Sequence, residues 1–298
     1  MMPSEPRFLM CRPSHFAVTY AINPWMDPDT WARDGRALGA AAWRQWAGLH
    51  QTLCDLGAAI ELVPPVPGLP DLVFTANSAV VLDRTALLAR FRHPERRPEE
   101  PHFAAAFRAL LANGILDTVR SLPEPLVLEG AGDCVFDEAR NLFWMGYGPR
   151  SDAAARNAVE KTFGVGVVAL ELVDPRFYHL DTALCAMPRG ELVYFPGAFT
   201  AAGRTAIRER VDDAASIELT AEDACRLSAN AVVLNGTVVL PGCSQRLRRT
   251  LEERGYCVRQ TPLSAFLRSG GAAFCLTLRL DRRSWMQSRA VDRLDAAE

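Results

Sequence analysis

Ala231-Val232-Val233-Leu234-Asn235-Gly236-Thr237-Val238-Val239-Leu240 is two apolar, β-branched runs on either side of Asn-Gly. A type I′ turn needs positive φ at both central positions, which Asn and Gly tolerate, so this stretch predicts a two-residue β-hairpin. The plan recurs upstream. VFTANSAVVL from Val73 and TALLARF from Thr85 flank Asp83-Arg84, CVF from Cys134 and LFWMGY from Leu142 flank Asp137 to Asn141, and TALCAM from Thr182 and ELVYF from Glu191 flank Pro188-Arg189-Gly190. A fifth element is assembled from the two ends of the chain, the strand Ala273 to Leu278 and the strand Phe8 to Cys11. Successive starts lie about 43 to 61 residues apart, room for a hairpin plus a helix.

Helices fit between the hairpins. Asp29 to Leu56 carries Trp31, Leu38, Trp43, Trp46, Leu49, Leu53 and Leu56 near a 3.6-residue period, with Asp27 or Asp29 as N-cap and Gly57 as stop. Ser151 to Phe163 and Ser244 to Arg254 each begin with Ser and end before Gly, which predicts two more capped helices. Pro64-Pro65-Val66-Pro67 reads as a turn into the first hairpin, and Arg92 to Pro101 as a charged loop. No composition shift marks a linker, so residues 1–298 are expected to form one α/β domain of five modules, with 281–298 a polar tail or helix.

Composition excludes several classes. The 298 residues are 49% hydrophobic and 23% charged, the profile of a globular chain with a sizeable core. A net charge of −2 provides no basic field for a nucleic-acid backbone. No uncharged apolar run approaches the ~20 residues that span a bilayer, and the first residues lack a signal-like apolar stretch. A cytoplasmic protein is expected. Its eight cysteines include no C-x-x-C pair, so neither a zinc ribbon nor a disulfide framework is indicated. Phosphate-cradling loops of the P-loop type, dinucleotide fingerprints and G-x-S-x-G elbows are likewise missing.

Aligning the modules on their first strands puts polar residues at matching places. Asn77 sits inside VFTAN, Asp133 before CVF, His179 and Asp181 before TALC, Asn230 before AVVL, and Cys275 inside AFCLTL. Around a pseudo-fivefold axis these positions converge, bringing carboxylate, imidazole, amide and thiol into one pocket. Singly, each has an ordinary reading: a buried structural thiol, a hydrogen-bonded core histidine, or a turn entering a strand at Glu129-Gly130-Ala131-Gly132-Asp133.

Together they resemble the guanidine-modifying enzymes of the pentein superfamily, which includes arginine deiminases, dimethylarginine hydrolases, amidinotransferases and arginine dihydrolases. The similar segments are CRPSHFAVTYAINPWM from Cys11, DLVFTAN from Asp71, FRHPER from Phe91, EGAGD from Glu129, YGPRSD from Tyr147, FYHLDT from Phe177, LSANAV from Leu227 and GGAAFCLTLRL from Gly270. They cover almost the whole chain. The resemblance implies a five-module α/β propeller with its active site at the axis. It also implies Cys275 as nucleophile in the C-terminal strand, His179 as general acid/base, and Glu129 and Asp181 as holders of the guanidinium. Arg96 and Arg150 become candidates for gripping the substrate α-carboxylate, and Asn23 a further contact. No metal or organic cofactor is implied, the expected partner is a small guanidino substrate, and a homo-oligomer is compatible with the family.

Asn77 is the informative departure. Deiminases that stop at citrulline resemble FTRD here, where an Asp would repel the carbonyl oxygen of the neutral ureido product. An asparagine amide accepts from an N–H and also donates to that oxygen, which would retain the ureido group for a second attack. FTAN and INPWM together resemble arginine dihydrolases, giving ornithine, two ammonia and carbon dioxide. The alternatives are a one-step dimethylarginine hydrolase or arginine deiminase, then an amidinotransferase. A non-enzymatic propeller binding protein would be expected to lack the Cys and the His.

Overall fold

In the computed structural model, which describes residues 5–285, the chain forms five three-stranded sheets. Four follow one plan: an antiparallel hairpin, a crossover helix, and a third strand parallel to the second. The hairpins are Ala79–Leu82 with Thr85–Leu88, Cys134–Asp137 with Leu142–Tyr147, Leu184–Ala186 with Leu192–Tyr194, and Val232–Leu234 with Thr237–Leu240. Their helices are Glu100–Ala112, Ala155–Phe163, Ala201–Arg208 and Gln245–Glu253. The fifth sheet closes the ring. Leu278–Arg279 pairs antiparallel with Arg7–Cys11, which runs parallel to Ala59–Val63 across the helix Pro28–Asp55.

The turn chemistry is as the sequence predicts. Asn235 and Gly236 have φ of 48° and 74°, and Asp83 and Arg84, with φ of 52° and 58°, make the same kind of turn without a glycine. Inner hairpin strands are buried along their length, whereas third strands such as Cys257–Gln260 are largely exposed. The core therefore lies between the axis and the helices.

Asp27 caps the long helix through the amides of Asp29 and Thr30, and Gly57 follows at φ 84°. Of its periodic residues Trp31, Trp46, Leu49 and Leu53 are buried, but Trp43 is 41% exposed and lies outside the core. Ser244 caps its helix as expected, accepting from the Leu247 amide. Ser151 does not. The second module's helix starts at Ala155, because the Ser151 hydroxyl is drawn inward to the Asp133 carboxylate at 2.6 Å. The charged loop ends earlier than expected, since the helix Glu100–Ala112 begins inside it and buries Phe103, Phe107 and Leu110. Within the tail 281–298, Asp281 accepts from the Arg7 amide and the Trp285 amide donates to Asn141, while 286–298 fall outside the described residues.

Candidate active site

Two local expectations give way where the modules meet. Asn77 is not inside a strand: Thr75–Ser78 form a 3-10 turn and the strand begins only at Ala79. Cys275 lies in a turn, with the strand starting at Leu278. In both places a polar side chain has to reach inward at the axis, and a pleated strand bearing it would lose ladder bonds or bury it among apolar neighbours. Short turns ahead of the strands deliver these groups instead. Leu180–Thr182 after His179 and Gly130–Asp133 after Glu129 serve the same purpose.

Cys275, Asp181 and Asn230 form one cluster. The Cys275 Sγ donates to Asp181 Oδ2 at 3.0 Å and receives the Asn230 Nδ2 amide at 3.0 Å. All three residues are buried. Burial, with the Asp181 charge beside it, pushes the thiol well above its ordinary pKa, so the resting cysteine is protonated. Burial also lifts Asp181 to about 7, although the bond from Cys275 works against it. Asp181 Oδ1 is buried and has no hydrogen-bond partner among the described residues. Such an atom costs about 1–3 kcal/mol unless a donor reaches it.

His179, Glu129 and Arg150 form a second cluster. His179 Nε2 lies 2.7 Å from Glu129 Oε2, which also accepts from Arg150 Nη1 at 3.0 Å. Glu129 Oε1 accepts from the Arg92 amide. Burial alone would raise the Glu129 carboxyl, but the Arg150 guanidinium and the His179 bond outweigh it and hold it well below the usual carboxylate range. Burial lowers His179 to about 4 against the pull of Glu129. The imidazole is therefore neutral, donating from Nε2, and its Nδ1 faces the Asn77 amide at 3.5 Å.

Arg96 and Arg150, expected to grip a carboxylate, are engaged by the protein. Arg96 is forked on Glu99 at 3.0 and 2.8 Å, donates to Asn77 Oδ1 at 2.8 Å and to the Asp71 carbonyl, and stacks on Phe91. Arg150 also donates to the Ile22 carbonyl and lies over Tyr178. Both still line the cavity shared by Cys275, Asn77, Asn23 and Asp71. Asn23 caps the Trp25 amide and donates to the Ser269 carbonyl, which ties the segment over the cavity to the Cys275 side.

Sequence reasoning left out several supports of this site. Asp71 accepts from Tyr20 and Ser269, Glu99 clamps Arg96, and Ser151 joins Asp133 to the Glu129 amide. The second Asp133 oxygen holds the Leu180 amide, so one carboxyl braces both the Glu129 and the His179 turns. Asp71 and Ser151 stand inside the quoted DLVFTAN and YGPRSD segments. Their signal was a polar residue at the edge of an apolar run.

The glycines of EGAGD have a steric cause. Gly130 has φ 62°, and a Cβ there would lie 2.6 Å from the Ala76 carbonyl. At Gly132 a Cβ would meet Asn77 Nδ2 at 2.2 Å and His179 Cγ at 3.5 Å. Gly132→Ala is therefore expected to push both side chains out of register and lower kcat by about a hundredfold or more, with a smaller effect on melting temperature. Steady-state kinetics alongside thermal melts check this.

A thiol held against a carboxylate at the axis of a five-module propeller defines the pentein class of guanidine-modifying enzymes. The chain belongs to the dimethylarginine dimethylaminohydrolase family: the model described as N,N dimethylarginine dimethylhydrolase, eukaryotic, matches residues 12–281. The bifunctional arginine dihydrolase/ornithine cyclodeaminase ArgZ of Synechocystis is 42% identical over 279 residues, 94% of this chain and 38% of that protein. The chain thus spans well under half the length of that relative. The N(G),N(G)-dimethylarginine dimethylaminohydrolase of Mycobacterium tuberculosis is 38% identical over 278 residues, 93% of this chain and 87% of the relative. The crystal structure of the N-terminal domain of the cyanobacterial ArgZ, a cysteine-to-serine variant bound to substrate, superposes with a TM-score of 0.85 at 41% identity and covers 93% of this chain and 99% of that one. An asparagine-to-serine variant of that domain is covalently bound to a reaction intermediate. Among the described residues, no helix is long and apolar enough to cross a membrane.

Proposed function

We propose that the protein is an arginine dihydrolase, converting arginine to ornithine, two ammonia and carbon dioxide. The observation that carries this reading is the Cys275 thiol 3.0 Å from an Asp181 carboxylate whose other oxygen is buried without a partner among the described residues. That oxygen suits an N–H of a guanidinium, and Glu129, kept ionised by Arg150, adds a second acceptor. The substrate's positive charge then favours thiolate over thiol.

The proton balance closes within the site. Asp181, at about 7, accepts the thiol proton. Sulfur bonds to the guanidinium carbon, and the carbon–nitrogen bond breaks. The proton released by the thiol ends on the departing ammonia, relayed through His179, and a cationic thiouronium remains on Cys275. Water activated by His179 attacks that carbon and expels the sulfur, leaving a neutral ureido group. Of the two protons the water gives up, one returns to the thiolate and the other leaves with the ammonia as ammonium. A second attack releases the second ammonia and forms a carbamoyl thioester. Its hydrolysis gives a carbamate that decomposes to ornithine and carbon dioxide.

The second round depends on Asn77. Its Oδ1 accepts from Arg96, which fixes the amide so that Nδ2 is its donor end, while the second lone pair of Oδ1 is left for the accepting part expected from sequence. The Nδ2 contacts, to the Glu129 carbonyl and to His179, are both 3.5 Å, at the long limit of a hydrogen bond. The donor is thus available to a ureido oxygen. Asn77→Asp is expected to lower the ornithine-to-citrulline ratio by about tenfold or more, equivalent to one ordinary hydrogen bond. An unchanged ratio would overturn the role given to the amide. Incubation with L-arginine alone tests the whole reading, which requires two ammonia per arginine consumed. A one-step hydrolysis of dimethylarginine is the second reading, favoured by the family model and the mycobacterial relative. It predicts citrulline with dimethylamine from dimethylarginine and little ammonia from arginine.

A further inference from the structure

Asn230 makes bonds in four directions, all within the nucleophile's surroundings. Its Oδ1 accepts from the Ala272 amide at 3.0 Å and from the Cys275 amide at 3.2 Å. Its Nδ2 donates to the Asp181 carbonyl at 3.2 Å and to Cys275 Sγ at 3.0 Å. The side chain is fully buried at the end of LSAN, in the turn before the strand Val232–Leu234.

These partners settle which way the amide points. Two backbone N–H groups can face only its oxygen, because a flipped amide would set N–H against N–H twice. The atom beside the sulfur is therefore a donor. In the resting state the sulfur accepts from Asn230 while donating its own proton to Asp181. Once that proton has gone, the amide N–H remains against a sulfur anion, where a charge-assisted bond is roughly twice as strong as a neutral one.

We infer that Asn230 is a catalytic residue, supplying the hydrogen bond that holds Cys275 as thiolate and steadies the same sulfur each time it leaves. The inference rests on Cys275 being the nucleophile, as proposed above. Thiolate appears twice per hydrolytic round, first as attacker and then as the group expelled when water displaces it. A two-round reaction uses the bond four times. The titratable groups facing the sulfur are Asp181, which raises its pKa, and Tyr178, whose phenol is kept neutral by burial. Asn230 acts in the opposite direction to Asp181.

The test is Asn230→Ser, which keeps a short polar side chain toward the two backbone amides and removes the amide donor from the sulfur without setting a second carboxylate beside it. Alkylation of Cys275 by iodoacetamide is followed against pH by peptide mass mapping, which separates it from the other cysteines. The expected result is a midpoint raised by about one unit, hence about tenfold slower alkylation at a fixed pH below it, with kcat reduced more than KM. An unchanged midpoint and unchanged kcat in a folded variant would overturn the inference, since a purely loop-holding residue moves melting temperature without moving the thiol. If the variant fails to fold, the Asn230 side-chain amide resonance of the wild-type protein is titrated instead. It must shift with the Cys275 midpoint, and a resonance blind to that titration would overturn the inference. Cys275→Ala turnover separates the two levels: retained turnover removes the nucleophile reading itself, whereas the alkylation midpoint reports on Asn230 alone.

Discussion

Cys275→Ala is expected to abolish turnover, by about 10⁴-fold or more, while leaving arginine bound and the fold intact. The size follows from the electrophile. Resonance spreads the guanidinium charge, and none of the neutral imidazole, the ionised carboxylates or water in this cavity replaces a sulfur anion as attacker. The fold should survive because Asn230 grips the backbone amides of residues 272 and 275 rather than the thiol alone. Alanine also fits within the space that the larger side chain occupied. Rapid quench of the variant with excess arginine should show no covalent adduct, and calorimetry should show binding retained. Measurable ornithine production would remove Cys275 from its role.

Asp181→Asn is expected to be nearly as damaging to activity and yet to stabilise the protein at alkaline pH. The substitution places an N–H or a neutral oxygen where a cationic N–H needs a carboxylate, and it removes the acceptor of the thiol proton. A loss of about 10³-fold in kcat/KM is expected. Stability moves the other way. Burial raises the folded pKa of Asp181 from 3.8 to about 7, so its favourable contribution is complete below pH 3.8 and is lost as pH rises through 7. At pH 8 the empty site carries a buried carboxylate with one unpartnered oxygen, and an amide relieves that by about 1–3 kcal/mol. Denaturant midpoints at pH 5 and pH 8 check the sign: the gain of the variant over wild type must be larger at pH 8. Saturating arginine should reverse it, because only the wild-type carboxylate gains a cation.

The architecture was legible because its strongest signals are local. Asn235-Gly236 specifies a hairpin from two residues, and inner strands such as Ala79–Leu82 are continuous apolar runs. The third strands were silent. Thr118–Ser121 and Cys257–Gln260 are half-exposed edge strands whose composition does not distinguish them from loops, and only the parallel pairing to a neighbour defines them. The polar convergence at the axis was readable by aligning modules, yet the backbone carrying it was not. Asn77 and Cys275 stand in apolar runs, and the turns that release them exist because tertiary contacts require it. Ser151 shows the same limit at single-residue scale. Its sequence context is that of a helix cap, but its hydroxyl is claimed by Asp133, a residue 18 positions away. Arg96 and Arg150 could be placed at the site from their motifs, but their bonds to Glu99, Asn77, Glu129 and the Ile22 carbonyl depend on distances that no spacing rule contains.

The two ends of the chain close the ring by pairing Phe8 with Arg279 and Leu9 with Leu278. The working atoms around the axis come from five separate stretches: Asn77, Glu129, His179 with Asp181, Asn230, and Cys275. Residues 77–181 carry the Glu129, Arg150 and His179 cluster together with Asn77 and Asp181, whereas the thiol and its amide donor come from residues 230 and 275. The thiol meets its amide donor and its carboxylate from two other modules, three residues before the chain enters the strand that pairs with Arg7–Cys11. Chemical competence is thus a property of the completed circle, in which each module contributes at least one polar group to a shared centre.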